Sequence, residues 1–136
     1  MADYADKVET DAARRLAAST QAMAAKEKEV EQLRGYLAEY RQRADLADAT
    51  TDPLRWQNSR AFLAKLCTVV AAREAELAQA VERYRAEADR WRESHVRAKS
   101  LDKLIANAAR DAALEVAKRE QREVDEWALL RTLEEG

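Results

Sequence analysis

Apolar residues recur along most of the chain at alternating spacings of three and four positions. Three polar residues, Glu9, Ser19 and Lys26, interrupt the series in the first third of the sequence. Its apolar members are Ala5, Ala12, Leu16, Met23, Val30, Leu33, Leu37, Tyr40, Ala44 and Ala47. The spacing is the heptad pattern of a coiled-coil helix and differs from the two-residue alternation of a strand.

The second half of the chain repeats the heptad pattern, with Arg73, Glu87 and Ser94 as its polar members. The apolar members are Leu63, Leu66, Val70, Leu77, Ala80, Tyr84, Trp91, Ala98, Leu101, Ile105, Ala108 and Ala112. A looser apolar set follows, and it consists of Leu114, Val124, Trp127, Leu130 and Leu133. We therefore expect the second helix to continue to about Leu133.

The strongest break between the two series is Pro53, the only proline of the sequence. Asp52 is suited to cap the backbone N–H groups of a helix that starts there, and Pro53 fits the first helical turn. The short polar stretch before it suffices for a turn between antiparallel helices. Because each helix alone would expose an apolar stripe, folding back buries both stripes. The sequence predicts an all-α fold, an antiparallel two-helix coiled-coil hairpin, as a single domain over residues 1–136. Helix 1 is expected at about 3–48, the turn at 49–52 and helix 2 at about 53–133.

Gly35 lies inside the first heptad series. A glycine in a helix interior costs about 1 kcal/mol relative to alanine. Two interpretations remain open at this point: a close backbone contact, or a flexible position in the helix.

The two predicted arms have unequal lengths. A turn centred near Thr50 places Asp3 opposite Ala98, so residues beyond about Lys99 lack a partner within the chain. That segment of about 35 residues would be about 50 Å long as a helix. Its apolar stripe, which includes Leu104 and Trp127, predicts contact with another surface. Self-association through the same stripe is the alternative.

The composition agrees with long helices and limits the classes of partner. Charged residues make up 37% of the chain and aromatic residues 6%, with two glycines, as is typical of coiled coils. Acidic and basic residues are interspersed, and the net charge is −2, which argues against binding to nucleic acid or a membrane surface. The sequence has no apolar run of membrane-spanning length and no signal-peptide pattern, so we expect a cytoplasmic protein without membrane insertion. A single cysteine, Cys67, suits a reducing compartment.

The sequence contains no recognisable catalytic, metal-binding or phosphate-binding spacing. The single histidine, His95, lies in a charged helical stretch and is interpreted as a surface residue. Cys67 has no histidine near it in sequence and is interpreted as a small, buried or half-buried thiol. We therefore expect neither enzymatic activity nor a cofactor or metal.

The informative residues lie on possible contact surfaces near the predicted turn. Phe62, Leu66, Val69 and Arg73 are spaced by four, three and four positions beside the seam of the second helix. Tyr40 lies at a similar height on the first helix. Two interpretations remain open for this group: it completes the core near the turn, or it forms a partner surface.

Four stretches taken together resemble the flagellar export protein FliJ family: EQLRGYLAEYRQR, RWQNSRAFLAKL, RWRESHVRAKSLDKL and DEWALL. The resemblance extends from about Val30 to Leu133. It implies an antiparallel coiled coil similar to the central stalk of rotary ATPases. The implied partners are the ring of an export ATPase similar to FliI, an export gate protein similar to FlhA, and export chaperones. The implied location is the cytoplasm, in peripheral association with the inner membrane through the export apparatus.

The resemblance also assigns roles to individual residues. It places the contact with the ATPase on Val124, Trp127 and Leu130. It places the contact with the export gate on Leu37, Tyr40, Phe62, Leu66, Val69 and Arg73. Arg73 and Ala44 depart from the family pattern, because histidine and a second tyrosine are expected there. Two alternatives remain: the equivalent stalk of a virulence type III secretion system, and a homodimeric coiled-coil scaffold.

Overall fold

A computed structural model describes residues 2–46 and 52–135 of the protein. They form two helices, α1 (Ala2–Leu46) and α2 (Pro53–Glu135), and the described residues include no strand. The predicted fold class, a helical hairpin whose second helix is the longer, is confirmed. The predicted end of helix 1 and the predicted turn at 49–52 lie outside the described residues, except for Asp52. The single-domain organisation stays a prediction.

The start of α2 follows the local chemistry of Asp52 and Pro53. The Asp52 carboxylate accepts a hydrogen bond from the backbone N–H of Arg55 at 3.2 Å. The Asp52 carbonyl accepts the N–H of Trp56 at 3.0 Å, which closes the first helical turn. Pro53 occupies the first helical position, where its missing N–H leaves no hydrogen bond unmade.

The contacts divide the chain into two compact units. The central unit comprises Thr10–Glu93, and the terminal unit comprises Met1–Glu9 with Ser94–Gly136. The buried apolar residues of the central unit are Ala12, Val30, Leu37, Val70 and Ala88, and those of the terminal unit are Ala5 and Ala98. Val30, only 1% exposed, is the largest fully buried side chain.

Burial follows the heptad series until the terminal part of α2. Every described member of the α1 series is buried or half-buried, including the polar Glu9, Ser19 and Lys26. In α2, the members from Leu63 to Leu101 are buried or half-buried. From Asp102 to Glu135 every residue is exposed.

Four charged residues of the central unit form a cluster that joins the two helices, and we call it the charge cluster: Lys26, Glu29, Arg73 and Glu76. The Lys26 ammonium lies 2.8 Å from Glu76, and the Arg73 guanidinium lies 2.9 Å from Glu29 and 2.8 Å from Glu76. The hydrogen bond between Lys26 and Glu76 lowers the pKa of the Glu76 carboxyl and raises the pKa of the Lys26 ammonium. Polar members of the heptad series therefore connect α1 to α2.

Gly35 has space around its α-carbon. A Cβ added there would meet no heavy atom within 4 Å, and its φ is not positive. The interpretation that Gly35 permits a close backbone contact is therefore wrong.

Gly35→Ala is expected to raise the free energy of unfolding by about 1 kcal/mol, because alanine loses less backbone entropy in a helix. Urea denaturation followed by circular dichroism at 222 nm measures the change. Ala13→Gly, at another exposed position of α1, is the matched control and should lose a similar amount. A loss of stability in Gly35→Ala would contradict the open environment described for this residue.

Glu76→Gln is expected to lower the melting temperature at about pH 7 and to have little effect at about pH 3. Because the folded pKa of Glu76 is lowered, its stabilising contribution is present above the ordinary carboxyl pKa and is lost as the pH falls. Thermal denaturation at both pH values measures this change. The control is Glu82→Gln, since Glu82 pairs with Arg85 of its own helix and both side chains are exposed. An equal change in the melting temperature at both pH values would refute the stabilising contribution assigned to the ionised Glu76 carboxylate.

Candidate partner-binding surfaces

The six residues assigned to the export gate all lie in the central unit, and we call them the Phe62 surface: Leu37, Tyr40, Phe62, Leu66, Val69 and Arg73. Phe62 is 51% exposed and Val69 is 42% exposed. Tyr40 and Leu66 are half-buried, and Leu37 is buried. The structure therefore divides the set into an exposed apolar part and a supporting part that belongs to the hairpin core.

An aromatic contact joins the two helices within the Phe62 surface. The ring centroids of Tyr40 and Phe62 lie 4.7 Å apart, and the ring planes are inclined by 50°. Such tilted pairs are favourable because the edge of one ring faces the electron-rich face of the other. Phe62 thus has two roles, since it stabilises the hairpin and also exposes about half of its surface.

Arg73 is engaged within the hairpin. Its guanidinium contacts Glu29 of α1 and Glu76 of α2 in the charge cluster. A partner that contacts Arg73 would have to share the guanidinium with these carboxylates or replace them.

The central unit also carries a groove of about 410 Å³, which the sequence analysis missed. Its lining includes Arg34, Leu37, Arg41, Cys67, Val70 and Glu74. Arg41 donates a hydrogen bond to the Cys67 sulfur at 3.5 Å, and Arg34 pairs with Glu74 at 3.0 Å. Cys67 and Phe62 are five positions apart, about 140° around the helix, so the groove and Phe62 face different directions. The groove is lined by both helices, so its position depends on how far each helix is rotated about its own axis. The heptad pattern gives this rotation only approximately, and the sequence therefore did not reveal the groove.

The three residues assigned to the ATPase lie in the exposed part of α2. Val124 and Leu130 are each 60% exposed, and Trp127 is 68% exposed. The Arg131 guanidinium lies 5.7 Å from the centroid of the Trp127 ring, a cation–π contact. One face of this helix forms an exposed strip, which we call the Trp127 strip and define by Glu120, Glu123, Val124, Trp127, Ala128 and Arg131. Leu130 lies beside the strip and not on it.

A second polar contact that the sequence analysis missed lies in the terminal unit. The Nδ1 atom of His95 lies 2.6 Å from a carboxylate oxygen of Glu9, and both side chains are partly buried. His95 therefore takes part in the contact between α1 and α2, which the interpretation as a surface residue did not include. The sequence did contain one signal for this contact, because Glu9 is a polar residue in the otherwise mostly apolar heptad series of α1.

Over residues 2–46 and 52–135, no group of three or more histidine, cysteine or acidic side chains is placed to hold a metal ion. Within the same ranges, neither helix has a stretch long and apolar enough to cross a membrane. The features that remain for function are exposed apolar and charged surfaces on paired helices. The described residues thus define a long helical hairpin that bears these surfaces.

The model of the family described as flagellar FliJ protein matches residues 1–136, and the chain belongs to this family. The resemblance found in the sequence is thereby confirmed, and it extends over the whole chain. Membership of this family identifies the chain in general terms as a component of the flagellar export apparatus. No curated protein and no solved structure matches the chain significantly.

A double-mutant cycle tests the contact between Tyr40 and Phe62. Tyr40→Leu and Phe62→Leu are expected to show a coupling of about 1 kcal/mol in the free energy of unfolding, because each removes the same ring contact. Urea denaturation of the wild type, both single variants and the double variant measures the coupling. The control cycle pairs Phe62→Leu with Tyr4→Leu, whose exposed ring lies in the terminal unit, and should be additive. Equal couplings in the two cycles would refute the contact.

Proposed function

We propose that this chain is the stalk of the flagellar export apparatus, and that it binds the ring of the export ATPase and promotes assembly of that ring. The observation that carries the proposal is the exposure of all residues from Asp102 to Glu135. This part of α2 presents large apolar side chains, among them Leu104, Ile105 and Trp127. Extended exposed apolar surface is typical of protein interaction sites. Membership of the family supports an export partner for it.

The stalk acts without a catalytic group of its own. A single helix that touches several identical ATPase subunits cannot contact all of them in the same way. Unequal contact stabilises one conformation in some subunits more than in others, and it thereby biases which subunit closes on ATP. Binding to several subunits at once also favours the assembled ring over free subunits by mass action.

The Phe62 surface is proposed as the contact with an export gate protein similar to FlhA. Phe62 and Val69 supply exposed apolar area, and Tyr40 supports Phe62 from α1. Such an arrangement, an exposed aromatic ring held by a rigid scaffold, suits a binding anchor. We further propose that the protein escorts export chaperones and works in the cytoplasm, peripherally at the inner membrane. Family membership supports these two roles, and no particular residue carries them.

The homodimeric scaffold remains a second candidate because the same exposed stretch of α2 could be covered by a second copy. The stalk of a virulence secretion system would have the same architecture. The match to the flagellar family favours the flagellar export apparatus over a virulence secretion system.

The proposal is tested by measuring ATP hydrolysis by the cognate export ATPase over a range of ATPase concentrations. The wild-type chain is expected to move the cooperative onset of hydrolysis to a lower ATPase concentration. Trp127→Ala is expected to remove most of this shift, because it deletes the largest exposed apolar side chain of the strip. Deletion of the residues after Lys118 should remove the shift entirely.

A reciprocal pair of variants controls for general loss of structure. Phe62→Ala combined with Val69→Ala should keep the ATPase shift and weaken binding to the cytoplasmic part of the gate protein. Trp127→Ala should keep gate binding, which calorimetry measures. If the hydrolysis curves with and without the chain superimpose, the stalk proposal is wrong, and solution mass then tests the homodimer.

A further inference from the structure

The Trp127 strip carries acidic groups beside its apolar residues. Glu123 and Glu120 lie four and seven positions before Trp127, so all three share one helix face. Arg131, the basic residue of the strip, lies over the Trp127 ring. Over the described ranges, no basic side chain pairs with Glu120 or Glu123.

The acidic character belongs to this stretch and not to the whole exposed segment. Residues 120–135 contain six acidic and two basic side chains, whereas residues 102–119 contain three acidic and four basic ones. The sequence thus concentrates negative charge around the exposed tryptophan. This local excess is hidden in the near-neutral charge of the chain as a whole.

Covering Trp127 would change the surroundings of both glutamates. A partner that buries the indole excludes water from the neighbouring turns of the helix, and carboxylates that lose water without gaining a cation oppose binding. A surface with lysine or arginine side chains at these positions offsets this loss and speeds association. A parallel pairing with the strip of a second copy would bring the same acidic residues face to face, which is unfavourable.

We propose that the Trp127 strip docks onto a partner protein surface that combines an apolar pocket for the indole with basic side chains facing Glu120 and Glu123. The inference rests on the proposed function, because the partner is the export ATPase. It adds the chemistry of the surface that this ATPase must present.

The test measures binding of the full chain to the purified cognate ATPase by surface plasmon resonance at about 50 mM and about 200 mM NaCl. Glu120→Gln combined with Glu123→Gln is expected to weaken binding about three- to tenfold at the lower salt concentration, mainly through slower association. The difference in affinity between this variant and the wild type should be smaller at the higher NaCl concentration. Trp127→Ala should weaken binding more than tenfold at both concentrations.

The matched control is Asp125→Asn combined with Glu126→Gln. It makes the same change in net charge within the same stretch, at positions about 200° and 100° around the helix from Trp127. Its affinity should stay within about twofold of the wild type, because these carboxylates lie outside the strip. An equal loss in the control and in the Glu120 and Glu123 variant would overturn the assignment to these two glutamates.

Other outcomes separate this inference from the stalk proposal. If Trp127→Ala loses binding while the Glu120 and Glu123 variant binds as tightly as the wild type with the same salt dependence, the basic partner surface is refuted and the stalk proposal stands. If the wild-type chain fails to bind the ATPase at either salt concentration, both proposals fall. A dimer of the chain alone in sedimentation that Trp127→Ala dissociates would identify a second copy as the occupant and overturn the inference.

Discussion

The hairpin depends on the burial of one face of α1 and one face of α2. Several of the most buried side chains are small, among them Ala5, Ala12, Ala88 and Ala98, and Val30 is the largest fully buried side chain. A methyl group removes little apolar area from water, so each buried alanine contributes little free energy. Stability therefore has to come from many layers at once, and pairing and helix formation support each other.

The alanine positions discriminate poorly between alternative alignments of the two helices, because one alanine fits opposite another at several positions. The charge cluster supplies the preference for one alignment that the alanine positions lack. Lys26 contacts Glu76 and Arg73 contacts Glu29, so a shift of one helix by a full turn would separate both pairs. Polar members of a coiled-coil series commonly fix alignment at some cost in stability. Lys26 and Arg73 are interruptions of the heptad pattern in the sequence and connections between the helices in the structure.

The fold was predictable because its determinants are local or periodic. Asp52 and Pro53 start α2 by nearby hydrogen bonds, and the three-and-four spacing identifies the buried face of each helix. The contacts of Arg41 with Cys67 and of Glu9 with His95 were not predictable, since they depend on how far each helix is rotated toward the other. The exposed stretch that bears Trp127 followed from unequal arm lengths. The partner of this stretch was not predictable, because the apolar periodicity carries no information about which surface will cover the stretch.

The uninterrupted helix of α2 has a thermodynamic consequence for recognition. From Asp102 to Glu135 the chain is helical although every residue is exposed. This segment is rich in alanine, leucine and glutamate, which favour the helical state. A partner that captures this segment meets a preformed surface and does not have to order a disordered chain. The entropic penalty of association then falls mainly on side-chain rotamers. Recognition at this end of α2 would thus resemble the docking of a rigid body more than coupled folding and binding.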